Sequence, residues 1–298
     1  MWPTAAHMLR AQQAPASEPW STVVHDPRIG PISLRGHLAH IDGSSTCVII
    51  VHGLGGNADA VYCIRAAQAA QRAGLSSLRL CMRGADDSGQ DIYHAGLTAD
   101  IEAALASPEL QRYRNLLVIG YSLGGHIGVR FALSPSDTRV KAVAAVCPPL
   151  DLGLTAEAMN RPEAKVYQYL ILQGLKLMYE QFAKSTPAPS PVQDVLAVRS
   201  LREWDALTVA PRFGFQSAED YYYRMSAGPA LPNLEVPTLL VISDHDPMIP
   251  PWTHGDFLRR DLKRVAVRKL KSGGHVGFPA RHALEDETVG WLLAHVGR

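Results

Sequence analysis

Three residues have types and positions that could carry acyl-transfer chemistry: Ser122, Asp246 and His275. A serine hydroxyl is a weak nucleophile until a base takes its proton, and the base needs an acid to fix its tautomer. Ser122 lies in Gly120-Tyr121-Ser122-Leu123-Gly124, a G-x-S-x-G pattern. The short apolar run Leu116–Gly120 precedes it, and an apolar segment with helical spacing follows at once. Strand, sharp turn and helix are the context that turns this pattern into a nucleophile elbow. Gly120 and Gly124 are small where a strained apex needs room, and the new helix aims its free N–H groups at the serine.

In an open α/β sheet the reacting groups lie just past the carboxyl ends of the strands. Asp246 follows the apolar run Val236–Ser243, and His275 follows Val265–Leu270 in the loop Lys271-Ser272-Gly273-Gly274-His275. The chain order serine, acid, histidine fits the elbow. Asp244 is a rival acid two residues earlier, but the D-x-x-I-P spacing favours Asp246. Asp244, His245 and Asp246 are also metal-ligand types, yet no further ligand cluster accompanies them. Two backbone N–H groups should stabilise an oxyanion: Leu123, next to the nucleophile, and Leu54, in the turn His52-Gly53-Leu54-Gly55-Gly56. The expected cycle transfers an acyl group to Ser122 and releases it to water activated through His275, with neither metal nor organic cofactor required.

The elements that must position these groups follow from hydrophobic patterning. Residues from 1 to about 25 read as a loose arm, and Pro31–Ile41 alternates like an outer antiparallel strand. Thr46–Val51, Leu75–Met82, Leu116–Gly120, Val140–Val146, Val236–Ser243 and Val265–Leu270 read as core strands. Helical spacing covers Asp59–Gly74, a segment capped by Thr98 and running to about Ala106, Pro251–Leu262 and Pro279–Val296. The alternation implies a mostly parallel sheet with helices on both faces, an α/β fold. From 150 to 234 the rhythm breaks into the helical stretches Pro162–Lys184, Pro191–Trp204 and Ser217–Ser226. The expectation is a core of 26–149 and 235–298 with 150–234 inserted as a helical cap.

Bulk properties exclude several alternatives. The 298 residues are 47% hydrophobic and 19% charged, enough apolar material for a large core. With a formal net charge of +1 and no basic run, nucleic acid is not an expected partner. Cys47, Cys81 and Cys147 lie in or beside strands, and with Cys63 they read as free thiols in a reducing compartment. The N-terminus has no apolar signal core and no long apolar run occurs later, so a cytoplasmic protein without stable membrane insertion is expected.

Several longer pieces resemble one known family. HGLGG (52–56), MRG (82–84), YHAGLTAD (93–100), GYSLGG (120–125) and GGHVGF (273–278) resemble the α/β-hydrolase superfamily, and more narrowly its YheT-like branch (the AB hydrolase 4 family). So do LREWDALTVAPRFGF, DYYYRMS and VPTLLVISDHDPMIP. The resemblance covers nearly the whole chain outside the arm. It implies the α/β-hydrolase fold, the triad Ser122, Asp246 and His275, and a small to medium or lipid-like acyl ester as substrate. Acyl transfer or thioester cleavage by the same triad, and a catalytically silent binder on this fold, are the rival readings. The chain departs from the branch at Cys81 and His126, where asparagine is usual, both expected near the pocket. His52 is expected to hold the oxyanion turn, and His94 and Asp100 to fasten the loop at the pocket edge. Tyr221-Tyr222-Tyr223 either pack the cap or line an acyl pocket.

Overall fold

The computed structural model describes residues 13–278 and 283–297. Eight strands form one sheet: β1 (Glu18–Asp26), β2 (Gly30–Ala39), β3 (Thr46–Val51), β4 (Ser76–Cys81), β5 (Asn115–Tyr121), β6 (Val140–Val146), β7 (Thr238–Ser243) and β8 (Val265–Leu270). Their order is β1-β2-β4-β3-β5-β6-β7-β8. The β1–β2 hairpin and the β2–β4 pair are antiparallel, and every later pair is parallel. The helices are α1 (Val61–Arg72), α2 (Ala99–Ala106), α3 (Leu123–Phe131), α4 (Leu152–Met159), α5 (Lys165–Ser185), α6 (Val192–Ala197), α7 (Leu201–Leu207), α8 (Val209–Phe213), α9 (Ala218–Met225) and α10 (Ala283–Leu293).

Every residue of β3, β4 and β7 is buried. Parallel strands need both faces covered, and alternate side chains find different partners. Val48, Ile50, Leu117 and Ile119 pack with residues of α1 and α10. Cys47, Ile49, Val51, Leu116 and Val118 pack on the other face, with α2, α3 and helices from the segment between β6 and β7.

The expected loose arm differs from the structure over Glu18–Asp26, which forms edge strand β1. Its anchor is Trp20, buried at 4% exposure with its indole N–H donating to Ser107 Oγ at 3.3 Å. Residues 1–12 of that arm and 279–282 of the expected last helix lie outside the described residues.

Other boundaries differ for local reasons. Thr98 does not cap α2; its hydroxyl donates to Glu102 instead. The expected helix Pro251–Leu262 is two short 3-10 turns, because Gly255 takes a positive φ of 53° between them. The stretch Pro191–Trp204 breaks into α6 and α7, with Ser200 capping α7 through Glu203 N–H. Helices α4 and α8 have no counterpart among the expected helical stretches.

A buried ionic cluster ties distant parts together. Arg83, after β4, holds Asp100 of α2 through Nε and Nη2 at 2.8 and 2.6 Å. Its Nη1 reaches Asp91 at 3.2 Å and Asp26 of β1 at 3.1 Å. Arg212 of α8 grips the same Asp91 with two bonds of 2.8 and 2.7 Å. The sheet edge, the post-β4 loop and the helices before β7 thus share one charge-paired junction.

Candidate active site

Four adjacent strands end at the site, and their loops supply Ser122 (after β5), Cys147 (after β6), Asp246 (after β7) and His275 (after β8). Backbone bonds stitch these ends together: Ser122 N donates to Val146 O at 2.8 Å, Cys147 N to Val241 O at 2.8 Å, and Asp244 N to Leu270 O at 3.0 Å. Three non-glycine residues here take left-handed backbone: Ser122 (φ 52°), Cys147 (φ 49°) and Val276 (φ 47°). Each such conformation costs roughly 1–3 kcal/mol and persists only where its surroundings enforce it. At the serine the enforcement is visible in its glycines. A Cβ on Gly120 would collide with Gly124 O, and a Cβ on Gly124 with His52 O.

Asp246 is buried at 3% exposure, whereas Asp244 and His245 are exposed. Asp246 Oδ1 accepts from the N–H groups of Met248 and Ile249 at 2.8 and 3.0 Å. Its Oδ2 lies 2.7 Å from His275 Nδ1. Burial opposes the charge on Asp246, but His275 and the two N–H donors outweigh it and hold the carboxyl below its ordinary range. With Nδ1–H donated to the acid, His275 Nε2 is left as the acceptor. Among the described residues no hydrogen bond joins Ser122 Oγ to His275.

Cys147 Sγ, a carboxylate oxygen of Asp246 and a ring nitrogen of His275 all lie within 4.8 Å of one another. As a metal set the three fit poorly. Both Asp246 oxygens already accept hydrogen bonds, and burial together with the Asp246 charge pushes the Cys147 thiol well up, so it stays protonated.

The turn after β3 is fastened from three sides. His52 Nδ1 pairs with Gly53 O at 2.8 Å while its Nε2 accepts from Met82 N–H at 3.1 Å, which assigns a neutral ring. Tyr62 Oη accepts from Gly53 N–H at 3.1 Å. Tyr93 Oη accepts from Gly55 N–H at 2.8 Å and donates to Gly53 O at 3.3 Å. Among the described residues Leu54 N–H has no protein acceptor, and Leu123 N–H, at the first position of α3, has no intrahelical one.

Ser122, Leu123 and Leu54 line a cavity roofed by α4, α5, α7 and α9. Its walls are mainly apolar: Leu152, Ala156, Met159, Ile171, Trp204, Met248 and Ile249 among them. His94 also lines it, packed 4.3 Å from the Phe213 ring. Burial, and then the positive charges of Arg83, Arg130 and Arg212, press the His94 pKa down to about 3.

A family model for the alpha/beta hydrolase fold matches residues 46–280. The chain belongs to the α/β-hydrolase fold family. Within it the chain falls in the YheT-like branch. It is 30% identical over 262 residues to YheT of Escherichia coli (strain K12), whose name assigns it provisionally as an esterase; the match covers 84% of this chain and 74% of that one. It is 25% identical over 200 residues to a monoacylglycerol lipase of Saccharomyces cerevisiae, covering 63% of this chain and 43% of that protein. The solved Pyrococcus furiosus esterase Pf2001 superposes with a TM-score of 0.62 at 16% identity, over 94% of this chain and 92% of that one.

In this hydrolase the five residues picked from sequence fall into two places. Ser122, Leu123 and Leu54 share the cavity, and Asp246 is joined to His275 beside it. Neither departure from the branch lines the cavity. Cys81 accepts from Ala58 N–H at 3.3 Å, and His126 is buried between the carbonyls of Pro149 (2.6 Å) and Met225 (2.8 Å). Asp100 belongs to the Arg83 cluster. Tyr221 and Tyr222 both pack and line, while Tyr223 is 87% exposed. Sequence reasoning missed Tyr62, the bonds of Tyr93 to the turn after β3, and Cys147 beside Asp246. Cys147 carried one usable signal, its position directly after a core strand.

Proposed function

We propose that this hydrolase cleaves carboxylic esters through an acyl-enzyme on Ser122, with His275 as general base and Asp246 as the acid that orients it. The observation that carries this reading is the Asp246–His275 pair at 2.7 Å, buried past the ends of β7 and β8, with β6 between them and β5, the strand that Ser122 follows. His275 Nε2 takes the Ser122 proton as Oγ attacks the ester carbonyl. The tetrahedral oxyanion accepts from Leu54 N–H and Leu123 N–H, donors fixed in place before the substrate arrives. Collapse expels the alcohol, protonated by His275. Water activated by the same ring then releases the acid.

Helices α4–α9 act as a cap over this centre and supply most of the acyl-binding wall. The apolar lining fits a small to medium or lipid-like acyl chain. The names of the YheT and monoacylglycerol lipase relatives support ester hydrolysis as the general chemistry.

Steady-state hydrolysis of an ester series of rising acyl length tests the proposal. Ser122→Ala should lose at least about 1,000-fold in kcat with its melting temperature retained. Wild-type rates in that variant would overturn the reading.

A further inference from the structure

One residue of the cavity does not match its apolar walls. Asp205 of α7 lines it together with Trp204, Tyr221 and Tyr222. Among the described residues lining the cavity it is the only carboxylate, and no lysine or arginine lines it. Its Oδ2 accepts from Tyr222 Oη at 2.6 Å. Among the described residues no donor lies within hydrogen-bond reach of Oδ1. Arg202 stacks 5.6 Å from the Tyr222 ring centre and is paired with exposed Glu219. The carboxylate therefore has one oxygen engaged by the fold and one left over at a pocket lined mainly by hydrocarbon.

An acyl chain filling such a pocket would strip water from that oxygen, and a buried polar atom left unpaired is costly. A site of this kind discriminates strongly for a ligand that supplies the missing partner and against its deoxy analogue. The geometry points to Asp205 as a specificity-determining residue that binds a free hydroxyl on the acyl or alcohol part of the ester. The inference rests on the cavity being the substrate site of Ser122.

The protonation chemistry favours a hydroxyl over an ammonium group. Burial raises the Asp205 pKa to about 7 against the lowering effects of Tyr222 and Arg202, so acid and carboxylate forms coexist near neutrality. A hydroxyl both donates and accepts and so satisfies either form, whereas an ammonium only donates and leaves the proton of the acid form without an acceptor.

The test is a set of matched esters compared by kcat/KM. On the acyl side, ethyl 3-hydroxyhexanoate and ethyl 6-hydroxyhexanoate are each paired with ethyl hexanoate. On the alcohol side, 1-monohexanoylglycerol is paired with propyl hexanoate. Ethyl 6-aminohexanoate is the ammonium arm. The wild-type protein should prefer at least one hydroxylated ester over its deoxy partner by about ten-fold or more, and the arm that responds tells which part carries the hydroxyl. In Asp205→Leu the ratio should collapse toward one. Should that variant not fold, Asp205→Asn keeps an acceptor for Tyr222 but loses the charge, and its ratio should fall several-fold. No hydroxyl preference in the wild type, an undiminished ratio in the variants, or preference for the amino ester alone would overturn the inference. Labelling of Ser122 by a fluorophosphonate separates the two levels. Labelled protein that cleaves ethyl hexanoate without hydroxyl preference refutes only the role of Asp205. Protein that is neither labelled nor active on any ester refutes the esterase reading itself.

Discussion

His275 Nδ1 lies 2.7 Å from Asp246 Oδ2, and the other oxygen of the same carboxylate is held by the backbone N–H groups of Met248 and Ile249. The acid is thus fixed on one side by its own loop and on the other orients the ring. Asp244, two residues away, is exposed. Asp246→Asn should lower kcat by on the order of 1,000- to 10,000-fold, and Asp244→Asn by no more than a few-fold. Side-by-side kinetics of the two variants decide between them; a larger loss at Asp244 would reverse the assignment.

Tyr93 braces the turn after β3, where Leu54 is proposed as an oxyanion donor, through Gly55 N–H and Gly53 O. Tyr93→Phe removes both bonds while keeping the ring that packs edge-on against His52 at 5.6 Å. The expected result is a fall in kcat of about 10- to 100-fold with little change in KM, since the donors matter most when the oxyanion forms. A change confined to KM would place Tyr93 in ground-state binding instead.

Acid should destabilise the fold through its buried histidines. Burial lowers His52 to about 4 and His94 to about 3. The unfolded chain takes up protons near the ordinary value of 6.5, while His52 in the folded chain resists until about pH 4. Between those limits the unfolded state binds more protons, so stability is full above pH 6.5 and is lost as pH falls toward 4. Denaturant midpoints measured from about pH 7.5 to about 4.5 should decline steadily, and replacing His94 with asparagine should flatten part of that decline. A midpoint independent of pH across this range would contradict the buried neutral state.

Arg83 holds three aspartates from separate elements. Arg83→Met leaves those carboxylates without their shared cation, and the expected loss is about 3–5 kcal/mol of stability. Chemical denaturation measures it directly. A loss under about 1 kcal/mol would show that Arg212 alone neutralises the cluster.

The core strands, and the places of Ser122, Asp246 and His275 after β5, β7 and β8, were legible in the sequence because they depend on local signals. Thr46–Val51 and Thr238–Ser243 are apolar, β-branched runs, and both are buried end to end with a paired strand on either side. What escaped depended on distant partners. Glu18–Asp26 has no strong alternation, and it is a strand because Gly30–Ala39 pairs with it and Ser107 receives Trp20. Tyr62 and Tyr93 carry no motif that announces a hydroxyl bound to Gly53 or Gly55; only the closed turn shows it. Asp205 reads in the sequence as one more acidic residue on a helix, and only the fold brings Tyr222 and the cavity beside it.

The most direct test of the central claim is intact-mass and peptide mapping after treatment with a fluorophosphonate. One adduct on Ser122 in the wild-type protein, and none in Ser122→Ala under the same conditions, is the expected result. An unlabelled wild-type protein, or an equal adduct in the variant, would contradict the assignment of Ser122 as nucleophile.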